Sequence, residues 1–463
     1  MSTTTHPDPR VATGSSADRA ADAELLKLGY EPSLRRQLGF GSLLVYGLLF
    51  FVPMAPVAVF GIVVNRSGGV PLLVYLVAAV VMGLSALSYR EMALRYPVAG
   101  SVYGYVRLST SIHLGAAAGW LILLDYLLMP SLLTILSAIA LGHLFPAVPV
   151  ALFTALFVGA SLALNLAGMQ ITTRVGLLLL AVQVVVIALF VVFVLQGVAA
   201  GQVHLSLDGL WRSGVSWPAV MSAVSIAALS FLGFDAVSTL NEEARGGGRA
   251  VGWATGVLLV AVTALFCLQV LMAQVVTHAT SFPRGPGTTR AFYDAVDLVA
   301  PAWYRPVFTL TNALVAIFAC LVVAHASSAR LVFAMARDKV MPAVLARTTR
   351  RGVPHLATLA VAALTLVVSV AFAGHAELIT SLVTFGALSS YVVLHLAVVL
   401  GCFVRERSGR WLVHLVLPVL GAACLVVVLA ATSPLARWVA LGWLALGMLH
   451  HLGSQLLHRR TRP

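Results

Sequence analysis

Ser230–Glu243 reads SFLGFDAVSTLNEE and closes a long apolar run that begins near Trp217. Asp235 stands two residues after Gly233, inside a segment otherwise apolar enough for a membrane helix. An ionised carboxylate at the centre of a bilayer costs about 3 kcal/mol on insertion scales, so its presence calls for a function or a dedicated partner. Gly233 supplies the backbone freedom to unwind a helix, and unwound backbone is tolerated at membrane depth only where protein or a water-filled cavity surrounds it. The stretch therefore predicts a binding site in the middle of a membrane.

The rest of the chain agrees with that setting. Of 463 residues, 60% are hydrophobic and 10% charged, against roughly a quarter charged in a soluble domain. Runs such as LLVYLVAAVVMGLSAL and LLLLAVQVVVIALFVVFVL are apolar on every face, which excludes the alternating strands of an outer-membrane barrel. With about 20 residues needed per crossing, the chain is read as an all-α integral membrane protein of about 12 transmembrane helices. The net charge of +13 does not point to nucleic acid, because most Lys and Arg fall on one side of the alternating loops. That side is read as cytoplasmic, with both termini on it, in the cell membrane and against anionic lipid. The four cysteines, Cys267, Cys320, Cys402 and Cys424, lie in apolar runs without metal-ligand spacing.

Three segments follow from the same pattern. Residues 1–35 are polar, lack the apolar region of a signal peptide and are expected to be a disordered cytoplasmic tail. Residues 36–404 form the expected core of ten helices, and 405–463 hold helices eleven and twelve with the C-terminus. The first helix carries Pro53 and Pro56 around Met54 and Ala55, and each proline removes a backbone donor. It is expected to break there. The sixth is expected to break at Leu232–Asp235. Interruptions five helices apart point to an inverted repeat, helices one to five and six to ten, with the solute held between the two breaks.

Five runs in this order resemble the amino acid, polyamine and organocation transporter superfamily, and within it a putrescine-importer-like branch: VPMAPVAVFGIV, YPVAGSVYGYV, GWLILLDYLLMP, SFLGFDAVSTLNEE and HASSARLVFAMARDKVMP. The resemblance covers about Phe40 to the eighth helix and weakens beyond. It implies a five-plus-five inverted-repeat, LeuT-like fold with substrate at the unwound parts of helices one and six. Carried over by position, it implies that Met54, Ala55, Pro56 and Val57 lie in the first break and Phe231, Gly233, Phe234 and Asp235 in the second. Tyr126 matches a substrate-recognising tyrosine. Three departures stand out: Ala58 where the branch carries an acid, Leu229 where relatives place an aromatic gate, and no lysine in helix five.

Asp125 and Asp235 are the acids expected well within crossings. Each is a candidate to pair with a substrate amine or to carry the proton that couples transport; the alternative is a carboxyl that caps broken-helix amides or stays paired inside the bundle. His325 and Ser327 are weaker polar candidates in helix eight, and Glu242 and Glu243 are expected to close the inner end of helix six against arginines. Gly246–Gly248 lacks the Lys–Ser/Thr of a phosphate-binding loop, and no catalytic or metal constellation stands out. The expected function is a secondary transporter, not an enzyme, for a small amine-bearing solute, an amino acid or a di- or polyamine. It would need no cofactor and would be driven by a proton gradient. An exchanger, or a sensor that kept the fold and lost transport, are the alternatives. The sequence leaves the oligomeric state open.

Overall fold

The chain is described from a computed structural model over residues 16–460, apart from 33, 35, 145–146, 205–209, 213, 284–285, 350–351, 431 and 433. Among these residues the structure is helical. Ser16–Lys27 (α1) precedes Phe40–Phe50 (α2), Ala55–Ser67 (α3), Pro71–Arg95 (α4), Ser101–Ser109 (α5), Ile112–Leu144 (α6), Val150–Ala167 (α7) and Met169–Ala199 (α8). Then come Trp217–Ser230 (α9), a 3-10 turn at Phe234–Leu240, Gly247–Thr277 (α10), Pro286–Val299 (α11) and Tyr304–Arg337 (α12). His355–Ala371 (α13), Ala376–Arg405 (α14), Leu412–Ala430 (α15) and Pro434–Arg460 (α16) complete the chain.

Nine described helices are long and apolar enough to cross a membrane, and α2 with α3, bent by 46°, are together long and apolar enough for a tenth. The apolar α13, 17 residues long, and α16 stand where the sequence expects crossings nine and twelve. The first crossing (α2 and α3), α4, α6, α7 and α8 form one set of five. The broken sixth (α9 and its 3-10 turn), α10, α12, α13 and α14 form the other. The long α6 lies between them, packed on α12, α13 and α14.

Both breaks fall where the sequence expects them, and each has a local cause. In the first, Val52 adopts φ +51° ahead of Pro53, a conformation a β-branched residue rarely takes. The carbonyls freed by the break are satisfied from other crossings: Gln269 Nε2 donates to the Pro53 oxygen at 2.8 Å, and the Cys320 thiol to the Phe50 oxygen at 3.2 Å. Pro56 sits in the first turn of α3, where a missing N–H costs nothing. In the sixth crossing, Gly233 takes φ +131°.

Two expectations need correction. The reading of 1–35 as disordered fails for Ser16–Lys27, which is helical; residues 1–15 lie outside the described residues. Asp18 in the first turn and Lys27 in the last suit the helix dipole. Ala21 and Leu25, one turn apart, are buried, with Ala21 against Gly247. The segment after the second crossing, read as a loop or re-entrant punctuation, contains α5, whose residues Val102, Tyr103, Tyr105 and Val106 are all buried.

Candidate functional site

The two breaks meet. A Cβ on Gly233 would stand 2.6 Å from Phe50 Cδ1, 3.1 Å from the Phe50 carbonyl carbon and 3.2 Å from the Phe51 nitrogen. Only a hydrogen fits there, so glycine serves both the backbone conformation and the close approach of the two crossings. Phe234, next in line, faces Phe51 with ring centroids 6.5 Å apart.

Asp235 follows, fully buried. Tyr126 on α6 donates its hydroxyl to Asp235 Oδ2 at 2.7 Å, while Oδ1 has no hydrogen-bond partner. Asp125, the neighbour of Tyr126, is also buried, and neither of its oxygens is hydrogen-bonded. The two carboxyls interact electrostatically, and no ion pair to either occurs among the described residues. Two carboxyls buried within each other's field cannot both stay charged unless a proton or a cation joins them.

Aromatic rings form the rest of the surroundings. Tyr89 on α4, Phe234 and Tyr391 on α14 make a triangle with centroids 5.3 to 5.4 Å apart. Tyr89 and Tyr391 are both fully buried, with Tyr391 beside the Asp235 carboxyl. Ring faces attract cations, more strongly when desolvated, so carboxylates beside tyrosines suit an ammonium group. The 3-10 turn that carries Asp235 is pinned from α5: Ser238 donates to Ser101 Oγ at 3.0 Å, and Asn241 Nδ2 to Tyr105 Oη at 2.8 Å.

The structure thus brings together Asp125, Tyr126, Gly233, Phe234 and Asp235. Phe231 is buried on the other side of the break, against Tyr75 and Phe266. Met54, Ala55, Pro56 and Val57 follow the first break as expected, but Phe50 and Phe51, just before it, make the ring and backbone contacts with the second. His325 is a core histidine, bonded to Ser161 Oγ and the Thr358 carbonyl. Ser327 bonds the Tyr46 hydroxyl at 2.7 Å, and Ser328 donates to the Tyr126 carbonyl. Sequence reading missed Tyr89, Tyr391 and Ser328, whose only signal is a polar group in an apolar helix.

The two ends of the bundle differ. At the end away from α1, α11 lies so close on α3 that a Cβ on Gly61 would meet the Thr288 oxygen at 2.3 Å. Asn65 exchanges two hydrogen bonds with the Phe282 backbone, at 2.9 and 2.6 Å. At the α1 end, Glu242 pairs with Arg337 at 2.7 Å and Glu243 with Arg330 at 2.5 Å, as expected of those acids. Arg36 donates to the Asn241 and Ala244 carbonyls. Tyr30 donates to Asp338 at 3.2 Å and accepts from Arg107. Burial, and then Asp338, pushes the Tyr30 hydroxyl up to about 12, and burial holds the Asp338 carboxyl above the usual carboxylate range against the pull of Arg107.

The sequence profile of the amino acid permease family matches residues 42–441, which takes in both breaks and every residue of this site. The chain belongs to the amino acid permease family. This permease is therefore a multi-pass membrane protein of a transporter class. It is similar to the low-affinity putrescine importer of Escherichia coli, 27% identical over 431 residues, covering 90% of this chain and 93% of the relative. An uncharacterized transporter of Mycobacterium tuberculosis is 28% identical over 435 residues, covering 93% of each. A branched-chain amino acid permease of Bacillus subtilis is 24% identical over 390 residues, covering 80% of this chain and 81% of the relative.

Proposed function

We propose that this permease is a secondary active transporter that takes up a small amine-bearing solute together with protons by alternating access across the cytoplasmic membrane. The observation that carries the reading is Asp235: a buried carboxylate in the break of the sixth crossing, held by the Tyr126 hydroxyl and within the field of a second buried carboxyl, Asp125, that has no hydrogen-bond partner. An arriving ammonium would complete the set, with Asp235 as its acceptor, Asp125 as the carboxyl that holds the coupled proton, and the faces of Tyr89 and Tyr391 around it. A proton would travel with it on the second carboxyl, because a bare carboxylate beside the occupied one would be left uncompensated in the same interior. Loading of amine and proton together on the two carboxyls is a coupling mechanism that needs no cofactor.

Rocking of one helix set against the other supplies the access change, and the touching breaks at Gly233 and Phe50 are the natural pivot. The relatives support both an amine and an amino acid, one being named a putrescine importer and another a branched-chain amino acid permease. The test is uptake of labelled putrescine and of an amino-acid panel into proteoliposomes, with and without an inward proton gradient, for wild type and Asp235→Asn. Gradient-stimulated uptake that the substitution abolishes is the expected result. Uptake that ignores the gradient and requires solute inside would make the protein an exchanger. Normal transport by Asp235→Asn would remove the carboxylate from the mechanism.

A further inference from the structure

A cavity of about 300 Å³ opens at the α1 end of the bundle, apart from the carboxylate site. Its walls come from both helix sets: Asn165 and Thr172 at the α7–α8 turn from one, Glu243, Arg330 and Thr358 from the other. Gln37 stands at its edge, and the Gln37 and Leu38 nitrogens both donate to the Glu243 carbonyl, at 2.9 and 3.0 Å. On α12 the cavity reaches Ala326. The next two residues face the other way into the protein: Ser327 holds Tyr46, and Ser328 holds the backbone of Tyr126. Ala326 thus lines this space, and Ser328, two residues on along α12, touches the backbone of Tyr126, the residue that bonds Asp235.

The charges in the wall are unlike those of the central site. There, two carboxyls stand without a basic partner. Here a buried carboxylate and a buried guanidinium lie side by side, Arg330 Nε to Glu243 Oε1 at 2.5 Å, with Arg330 Nη1 also on the Ala326 carbonyl at 2.9 Å. A diamine entering this cavity would bring two positive ends to one acid already beside a guanidinium. A simple anion would meet the acid. A zwitterion with adjoining ammonium and carboxylate can set one charge against each wall group, and Ile171, Val353 and Pro354 leave an apolar flank for a side chain. The volume is at the small end for solute pockets, which suits a free amino acid.

We propose that this cavity is a second solute site, on the cytoplasmic side, that binds a small zwitterionic amino acid with its carboxylate toward Arg330 and its ammonium toward Glu243. The proposal rests on the transporter reading and adds a site that discriminates by the whole head group where the central one discriminates by the amine. A solute released inward would pause here before the cytoplasm, and cytoplasmic amino acid would occupy it first.

The test is equilibrium binding of labelled leucine and labelled putrescine to the purified full chain in lipid nanodiscs. Wild type is expected to bind two leucines per chain. Ala167→Trp, which places a ring at the rim where Ala167 is only half-buried, and the neutral pair Glu243→Gln/Arg330→Gln should each bind one. Asp235→Asn should lose the other, and putrescine should never displace leucine from the cavity. Leucine binding that both cavity variants retain in full overturns the proposal, as does putrescine competing for the site. If the cavity variants lose one equivalent while Asp235→Asn keeps two, the cavity stands and the central reading falls. A wild type that binds neither solute overturns both.

Discussion

Tyr126 on the third crossing donates its hydroxyl to Asp235 in the break of the sixth, at 2.7 Å. Tyr126→Phe keeps the ring and removes a 2.7 Å hydrogen bond from a buried carboxyl. An orphaned buried acceptor costs about 1–3 kcal/mol, more when charged. The expected outcome is uptake reduced at least tenfold, with a raised KM, in a protein that still melts cooperatively. Uptake within twofold of wild type would show that the bond does no more than park the side chain.

Gly233→Ala tests the pivot. The added methyl would press on Phe50 at 2.6 Å, and on backbone atoms that cannot swing away, at φ +131°. Strain of this kind costs about 1–3 kcal/mol. Gly256, also in a crossing, has nothing within 4 Å of its would-be Cβ. The melting temperature in detergent should fall for Gly233→Ala and hold or rise for Gly256→Ala, where alanine is the better helix former. Equal melting of the two variants would mean that the breaks do not bear on one another.

How much of this was legible beforehand depended on contrast with an apolar background. Pro53 and Gly233 are chain breakers inside long apolar runs, and Asp125 and Asp235 are charges where charge is costly, so both breaks and both carboxyls could be placed from the sequence. Tyr89 and Tyr391 could not: a tyrosine in an apolar helix usually packs, and nothing local says that 302 residues of chain return one to the other's face, at 5.4 Å. Phe50 and Phe51 were hidden for the same reason, since the approach of two backbones is set by Gly233 and not by the phenylalanines. The helix at Ser16–Lys27 was misread because polar composition resembles disorder. Its stability comes from two buried apolar residues and from tertiary bonds such as Asp18 to the Gly246 nitrogen at 3.1 Å.

The Tyr30 clip has a defined pH window. Burial places its hydroxyl at about 12, above the ordinary value of 10. The neutral form is thus favoured in the folded protein. Its contribution is complete below pH 10, where the phenol is neutral folded or unfolded, and is lost as pH rises through about 12. Melting curves of wild type and Tyr30→Phe should differ by a constant amount from pH 7 to 9.5 and converge above pH 10. A gap that closes already between pH 6 and 8 would assign the sensitivity to another group.

Glu243 and Arg330 offer a cycle in which the signs, and not only the sizes, are informative. Both side chains are about 8% exposed and lie 2.5 Å apart. Removing one charge strands the other in a poorly solvated position, which costs about 3–5 kcal/mol, whereas removing both costs far less because the desolvation of two ions is relieved together. Glu243→Gln and Arg330→Gln should each lower the melting temperature more than the double variant does. The Glu243 variant should suffer the more, because Arg330 stays tied to the Ala326 carbonyl and cannot swing to water without breaking that bond. If the double variant instead melts at the sum of the two losses, the pair is independent and too well hydrated to close the α1 end of the bundle.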